Sequence, residues 1–417
     1  MYFTVLGRIL LFTIILEVSL GGGGRLFDTG SVSPRMVLFA LGLAYTLVTV
    51  LRREQIPREF VLLTGAFVAL SSVSALISIV HNQSCFFALN DFKPLAYFLL
   101  LPFYAVTMRS VKDVLLVSKL VKFSAVCLAV LYLIVMAIWK LNLVTTSQMF
   151  EWLNPSHSAQ AEFLFRGDST FFFKALLYVS VGVFFYCTEK KFSNKTPALL
   201  LLLAIALTMT RGMWLSVFMV LAVWVFFCTA DRLRGTMFAV GLFLVGIMGV
   251  AWITEALPSV VQSNAIRMKD LEELCKSVWS WWDVLFGRGF GAVVLGREAI
   301  EITYVDVYFK QGLLGIVFWC LPPAYLFWRL LLIRRAEFQY VARPYFMAAA
   351  LVYVVSLTNP FLTNPIGMSV VMIAMVAVRV IGVADSERCS EEGHASTQHS
   401  VKDIARHFSF VGTREPL

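Results

Sequence analysis

Apolar residues along this chain gather in about a dozen blocks, each near the ~20 residues that a bilayer-spanning helix needs. The blocks fall near 3–20, 35–51, 59–80, 93–108, 118–139, 171–188, 196–210, 213–229, 236–254, 305–328, 344–361 and 364–382. Twelve such helices account for roughly 240 residues, which leaves short connections and little room for a soluble domain. The pattern predicts an all-α polytopic membrane protein of about 12 transmembrane helices. The helical domain covers 1–383 and includes two long loops facing the same way, 141–170 and 255–304. The segment 384–417 shows no hydrophobic periodicity and is expected as a disordered tail.

Composition supports this. Of 417 residues, 59% are hydrophobic and 15% charged, against roughly 45–50% and 25% in soluble domains, so a single water-soluble core is excluded. Lys and Arg outnumber Asp and Glu by 35 to 26. In a soluble chain such an excess points to nucleic acid, but here the cations cluster at block ends, where membrane topology accounts for them. Arg52, Arg53 and Arg58, then Arg109 and Lys112, then Lys190, Lys191 and Lys195, then Arg232 and Arg234, then Arg334 and Arg335 all fall on one side. By the positive-inside rule that side, with both termini, is cytoplasmic. The first block lacks a basic residue before Arg8 and a small-x-small cleavage site, so it reads as a retained span. No Cys-x-x-Cys occurs among the seven cysteines. Cys85 and Cys275 fall in outside loops, the one pair placed for a disulfide.

The outer loop 255–304 breaks the charge rule by carrying Arg267, Lys269, Lys276, Arg288 and Arg297. These cations do something other than orient the chain. Leu271, Leu274, Val278, Trp281, Trp282 and Leu285, three or four apart, predict an amphipathic helix at the interface. Arg267 lies near its start, where a solvated charge and a ligand are both open readings. Arg211, in Thr210-Arg211-Gly212 between two apolar runs, is either a snorkelling anchor or an anion ligand at membrane depth, with Gly212 allowing close backbone approach. Gly287-Arg288-Gly289-Phe290-Gly291 is either a loop bend or an anion-binding nest of backbone N–H groups. Glu301 and Tyr304 stand at the mouth of the tenth span, with Asp306, Tyr308 and Lys310 in its first turns: an interfacial belt, or a carboxylate beside a watery cavity that accepts a proton from a hydroxyl. Arg166, Asp168 and Lys174 border the sixth span, and Asn359 sits in one of two Thr-Asn-Pro turns. No His-x-x-x-His or carboxylate cluster signals a metal.

In this order, Thr210-Arg211-Gly212, Ile266-Arg267, Phe286-Gly287-Arg288-Gly289-Phe290-Gly291, Glu301-Ile302-Thr303-Tyr304-Val305 and Gln311-Gly312-Leu313-Leu314-Gly315 resemble the bacterial O-antigen polymerase and ligase superfamily. The resemblance covers roughly residues 196–382, and in the first half extends only to a run of spans. It implies a GT-C-like enzyme of the bacterial inner membrane that transfers a glycan from polyprenyl diphosphate at the periplasmic face. Arg211, Arg267 and Arg288 would hold the diphosphate, Glu301 would be the base with Tyr304 orienting it, and Arg166 and Asn359 would add substrate contacts. Neither a metal nor another cofactor is expected. Partners would be the lipid-linked oligosaccharide, membrane lipids and a chain-length regulator, with no nucleic acid. Ligases of that superfamily typically place a histidine where this chain has Glu301, and the loop 255–304 holds no histidine, so a polymerase is favoured over a ligase to lipid A core. A transporter or a flippase of lipid-linked oligosaccharide is the competing class. Against it, no inverted repeat is seen and the candidate residues gather on one face. Arg297, which no motif holds, is expected to tolerate alanine.

Overall fold

The computed structural model describes residues 2–22, 33–154, 163–166, 168–229, 231–256, 259–276 and 279–410. It consists of α1 (Tyr2–Leu20), α2 (Pro34–Leu51), α3 (Arg58–Val80), α4 (Cys85–Leu95), α5 (Leu101–Thr107), α6 (Val111–Lys140), α7 (Thr146–Leu153), strands β1 (Phe163–Arg166) and β2 (Thr170–Phe173), α8 (Leu176–Cys187), α9 (Thr196–Leu207), α10 (Arg211–Cys228), α11 (Arg232–Ala256), α12 (Ser259–Lys276), α13 (Trp281–Phe286), α14 (Thr303–Leu332), α15 (Ala336–Val355) and α16 (Pro365–Phe410). Nine of these, among the described residues, are long and apolar enough to cross a membrane. The chain is an all-α polytopic membrane protein.

Three expected spans take another form. The block at 93–108 starts earlier, at Cys85, and runs to Thr107 as α4, a 3-10 turn at Ala96–Leu100 and α5. Pro94 and Pro102 remove N–H donors from the ladder, and the helix breaks around them. The block at 171–188 opens as a strand: β2 pairs antiparallel with β1, Phe163 opposite Phe173 and Arg166 opposite Thr170, before α8 begins. Its aromatic side chains stack on the pleated hairpin, as Phe163 and Phe173 do with ring centroids 4.5 Å apart. The third, α9, has only 12 residues.

The helix foreseen through Leu271–Leu285 is two helices, because Ser280 caps α13 in a box with Asp283; Val278 lies outside the described residues. Residues 384–391, expected in the tail, continue α16. They are held by tertiary contacts: Asp385 accepts the Arg334 N–H at 2.8 Å, and Arg388 pairs with Glu337 at 2.7 Å. Cys85 and Cys275 are both free thiols.

Apolar side chains on every face of α16 are buried, from Ile366 through Ile381, so it is the central post of the bundle. It packs on α15, α14, α5 and α6, whereas α11 leans on α10 and leaves most of its surface outward. Ion pairs tie the basic turns at one end: Arg8 with Asp113 at 2.9 Å, Arg329 and Arg379 both with Glu59 at 2.8 and 2.7 Å, and Arg109 with Glu54. The opposite end collects the α9–α10 turn, β1–β2, α12, the approach to α14 and the α15–α16 turn.

Candidate functional site

At that opposite end the sequence motifs meet. The α9–α10 turn forces Met209 into positive φ, +49°, and Arg211 is the first residue of α10, where it extends to the Asn264 side chain of α12. Three residues further along α12, Arg267 donates from Nε to Glu301 Oε2 at 2.8 Å and from Nη2 to the Thr358 carbonyl at 3.0 Å. Thr303 closes the arrangement: its N–H meets the Ser356 carbonyl and its hydroxyl donates to the Asn359 carbonyl, both at 3.2 Å. The turn containing Thr358 and Asn359 therefore carries α10, α12 and the start of α14 together.

Gly212 allows this. A Cβ there would lie 2.3 Å from Thr358 Oγ1 and 2.8 Å from Asn359 Nδ2, so the close approach foreseen for it is to this turn.

Arg166 joins the group from β1. Its guanidinium donates to the Met209 carbonyl, next but one to Arg211, while Thr170 of the same hairpin donates to the Leu207 carbonyl at 2.6 Å. Burial, and then the charges of Arg211 and Arg267, push Arg166 below the proton affinity of an ordinary arginine. Three guanidiniums thus stand within mutual electrostatic range. Their repulsion falls when an anion enters between them.

Glu301 accepts from Arg267 on one oxygen, while its other oxygen lies 3.8 Å from Arg297 Nη2. Arg297 also pairs at 2.8 Å with Asp270, whose side chain is 3% exposed. Arg297, expected to tolerate alanine because no motif holds it, thus links α12 to the loop before α14. Nothing in the local sequence marks Asp270 and Arg297 as partners, 27 residues apart.

Two further assignments change. The Tyr304 hydroxyl donates to the Tyr353 carbonyl of α15 at 2.7 Å. Its one proton is given to that carbonyl, so in this arrangement it donates none to Glu301. The glycine loop is no anion nest either, because its N–H groups already have acceptors. Arg288 donates to the Phe309 carbonyl at 2.9 Å, Gly289 to Lys310 at 3.0 Å, Phe290 to Ser74 at 3.3 Å, and Gly291 to Asp91 Oδ2 at 2.8 Å. Gly287, Gly289 and Gly291 have φ of +75°, +80° and +80°, and Cβ atoms on the latter two would lie 2.4 Å from Ser78 N and 2.8 Å from Ala88 N. Gly289 packs closely on α3 and Gly291 on α4, while Gly287 packs on the broken turn of α14 at Lys310–Gly312. The Arg288 guanidinium lies over the Trp279 and Phe309 rings, 5.1 and 5.8 Å from their centroids.

Fold and site together define a polytopic membrane protein with a cationic, carboxylate-bearing centre at one end of its helices. The chain is similar to the O-antigen polymerase of Shigella flexneri, 26% identical over 385 residues that span 89% of this chain and 95% of that protein. No family model matches. The likeness agrees with the superfamily resemblance, favours its polymerase side, and extends it into the first half of the chain.

Proposed function

We propose that the protein is a polymerase of O-antigen or a related surface polysaccharide, passing a polyprenyl-diphosphate-linked glycan chain onto a lipid-linked repeat unit. The observation that carries this is the convergence of Arg166, Arg211, Arg267 and Glu301 in a chain similar over most of its length to an O-antigen polymerase. In the bilayer, the nine long helices are joined by α8, α9 and the broken segment 85–107, which makes twelve crossings with a GT-C-like outline. The basic turns face the cytoplasm with both termini, and the arginine centre faces the periplasm.

The chemistry follows from the charges. The acceptor hydroxyl attacks the anomeric carbon, the bond from that carbon to the phosphate oxygen breaks, and polyprenyl diphosphate leaves with the electron pair. Arg166, Arg211 and Arg267 neutralise the charge that grows on the leaving group. Glu301 Oε1, the oxygen that lies 3.8 Å from Arg297 Nη2, takes the hydroxyl proton. Arg288, stacked on two rings, stiffens the loop instead of gripping phosphate, and Asn359 shapes the floor of the site. No step in this scheme calls for a metal. A chain-length regulator would meet the outer loops.

Purified lipid-linked repeat units test the scheme. Glu301→Gln keeps size and polarity but cannot take a proton, so polymerisation is expected to fall roughly 10²–10⁴-fold while donor binding survives. A fully active Gln variant removes Glu301 as base. A transporter or flippase yields no glycan product even from the wild type. In cells, a deletion strain that keeps a single attached repeat without the ladder marks a polymerase, and loss of every attached repeat marks a ligase.

A further inference from the structure

The loop that ends in Glu301 is fastened by a second, buried set of charges. Lys310, one turn past Asp306 on α14, places its ammonium 2.8 Å from Asp91 Oδ1 of α4 and 3.0 Å from Asp306 Oδ1. Only 5% of its side chain is exposed, so it is no snorkelling lysine with its head in water. Each member of this triad also holds the loop backbone. Asp91 Oδ2 accepts the Gly291 N–H at 2.8 Å, Lys310 donates to the Glu298 carbonyl at 2.6 Å, and Asp306 Oδ1 accepts the Ile300 N–H at 3.3 Å.

The helix itself is broken to allow this. Gly312 has φ +65° and ψ −160°, which takes the Phe309 and Lys310 carbonyls out of the helical ladder and turns them to the N–H groups of Arg288 and Gly289. A Cβ on Gly312 would lie 2.4 Å from the Leu285 carbonyl, so loop and break are built against each other.

Stability is a weak reason for such an arrangement, since replacing a buried ion group by apolar residues of similar volume is often neutral or stabilising. Geometry is a stronger one. The anchors at Gly291, Glu298 and Ile300 bracket Arg297 and end one residue before Glu301. We propose that Asp91, Lys310 and Asp306 are positioning residues that set where Glu301 and Arg297 stand relative to the arginine centre. This rests on Glu301 acting as base. Released from Asp306 and Lys310, the loop would let the carboxylate drift by about 1 Å, a misplacement that costs on the order of 10²-fold in rate.

The test uses full-length protein in nanodiscs and lipid-linked repeat units isolated from a strain lacking the polymerase. Lys310→Met keeps the aliphatic stem and removes the charge. The turnover rate is expected to fall about 10²-fold, with the donor KM changed less than about threefold because the three arginines are untouched. Hydrogen exchange is expected to rise in the 288–301 segment alone. Lys310→Arg, which restores a cation and several donors, is expected to recover part of both rate and protection. Wild-type turnover or unchanged 288–301 exchange in Lys310→Met overturns the proposal, as does exchange raised throughout the bundle with donor binding lost in proportion, which marks a merely structural residue. Glu301→Gln run in parallel separates the two ideas: a fully active Gln variant defeats the base assignment, whereas an inactive Gln variant beside a fully active Lys310→Met defeats the positioning role alone.

Discussion

Arg267→Ala removes two hydrogen bonds at once, at 2.8 Å to Glu301 and 3.0 Å to the Thr358 carbonyl, from a side chain only 16% exposed. Both bonds are donated by the charged guanidinium, each about 1.5–3 kcal/mol before solvent screening. Glu301 is 35% exposed and keeps Arg297 at 3.8 Å, so water and the second arginine recover much of the first, and the net folding cost is expected at about 1–2 kcal/mol. Membrane abundance should therefore stay near normal. In the proposed scheme catalysis has no such recovery, because the lost group is one of the three arginines assigned to the growing charge of the diphosphate. Removing one preorganised donor of this kind costs about 10²–10³-fold, or roughly 2.7–4 kcal/mol of barrier. Arg267→Lys keeps the charge, but a single ammonium does not span Glu301, Thr358 and a phosphate together, so it should recover only part of the rate. The assay is polymerisation of purified lipid-linked repeat units at saturating acceptor, normalised to protein in the membrane. A rate for Arg267→Ala within threefold of wild type would refute the argument that this guanidinium serves the leaving group.

Three further expectations are open to direct measurement. Arg297→Ala strands the buried Asp270 carboxylate and should lower membrane abundance by about 1–3 kcal/mol of stability, and adding Asp270→Asn should restore the abundance; if the single variant accumulates normally, the pair does not hold α12 to the loop. Gly289→Ala meets both a positive φ and a backbone nitrogen 2.4 Å from the new Cβ, whereas Gly296→Ala has φ +74° with open space around it; the first should abolish accumulation and the second cost only the ~1–2 kcal/mol of left-handed backbone, so equal yields would refute the packing role of Gly289. A reporter active only in the periplasm should be bright when fused after Gly291 and dark after Lys191, Arg234 or Glu337, and a bright Arg234 fusion would invert the orientation.

Hydropathy determined the architecture of this chain, because a lipid-spanning helix satisfies its backbone internally and its requirement for ~20 apolar residues is written locally. Cations at block ends likewise marked the basic turns, and a charge that interrupts or borders apolar blocks away from those turns is conspicuous, which is why Arg211, Arg267 and Glu301 were legible. Contacts over long sequence distances were not. Arg166 was legible as a polar residue beside the sixth span, but its approach to the Met209 carbonyl comes through a short hairpin whose second strand lies in an apolar block that reads equally as helix. Asp91 and Lys310 lie 219 residues apart, and no local spacing announces their pairing. Positive φ at Gly287, Gly289 and Gly291 follows from residue type, but whether their N–H groups face an anion or the carbonyls of a broken helix depends on what packs against them. A residue's charge and backbone freedom are properties of the sequence, whereas the partner that uses them is chosen by the packing of helices far apart along the chain, and only the tertiary structure decides it.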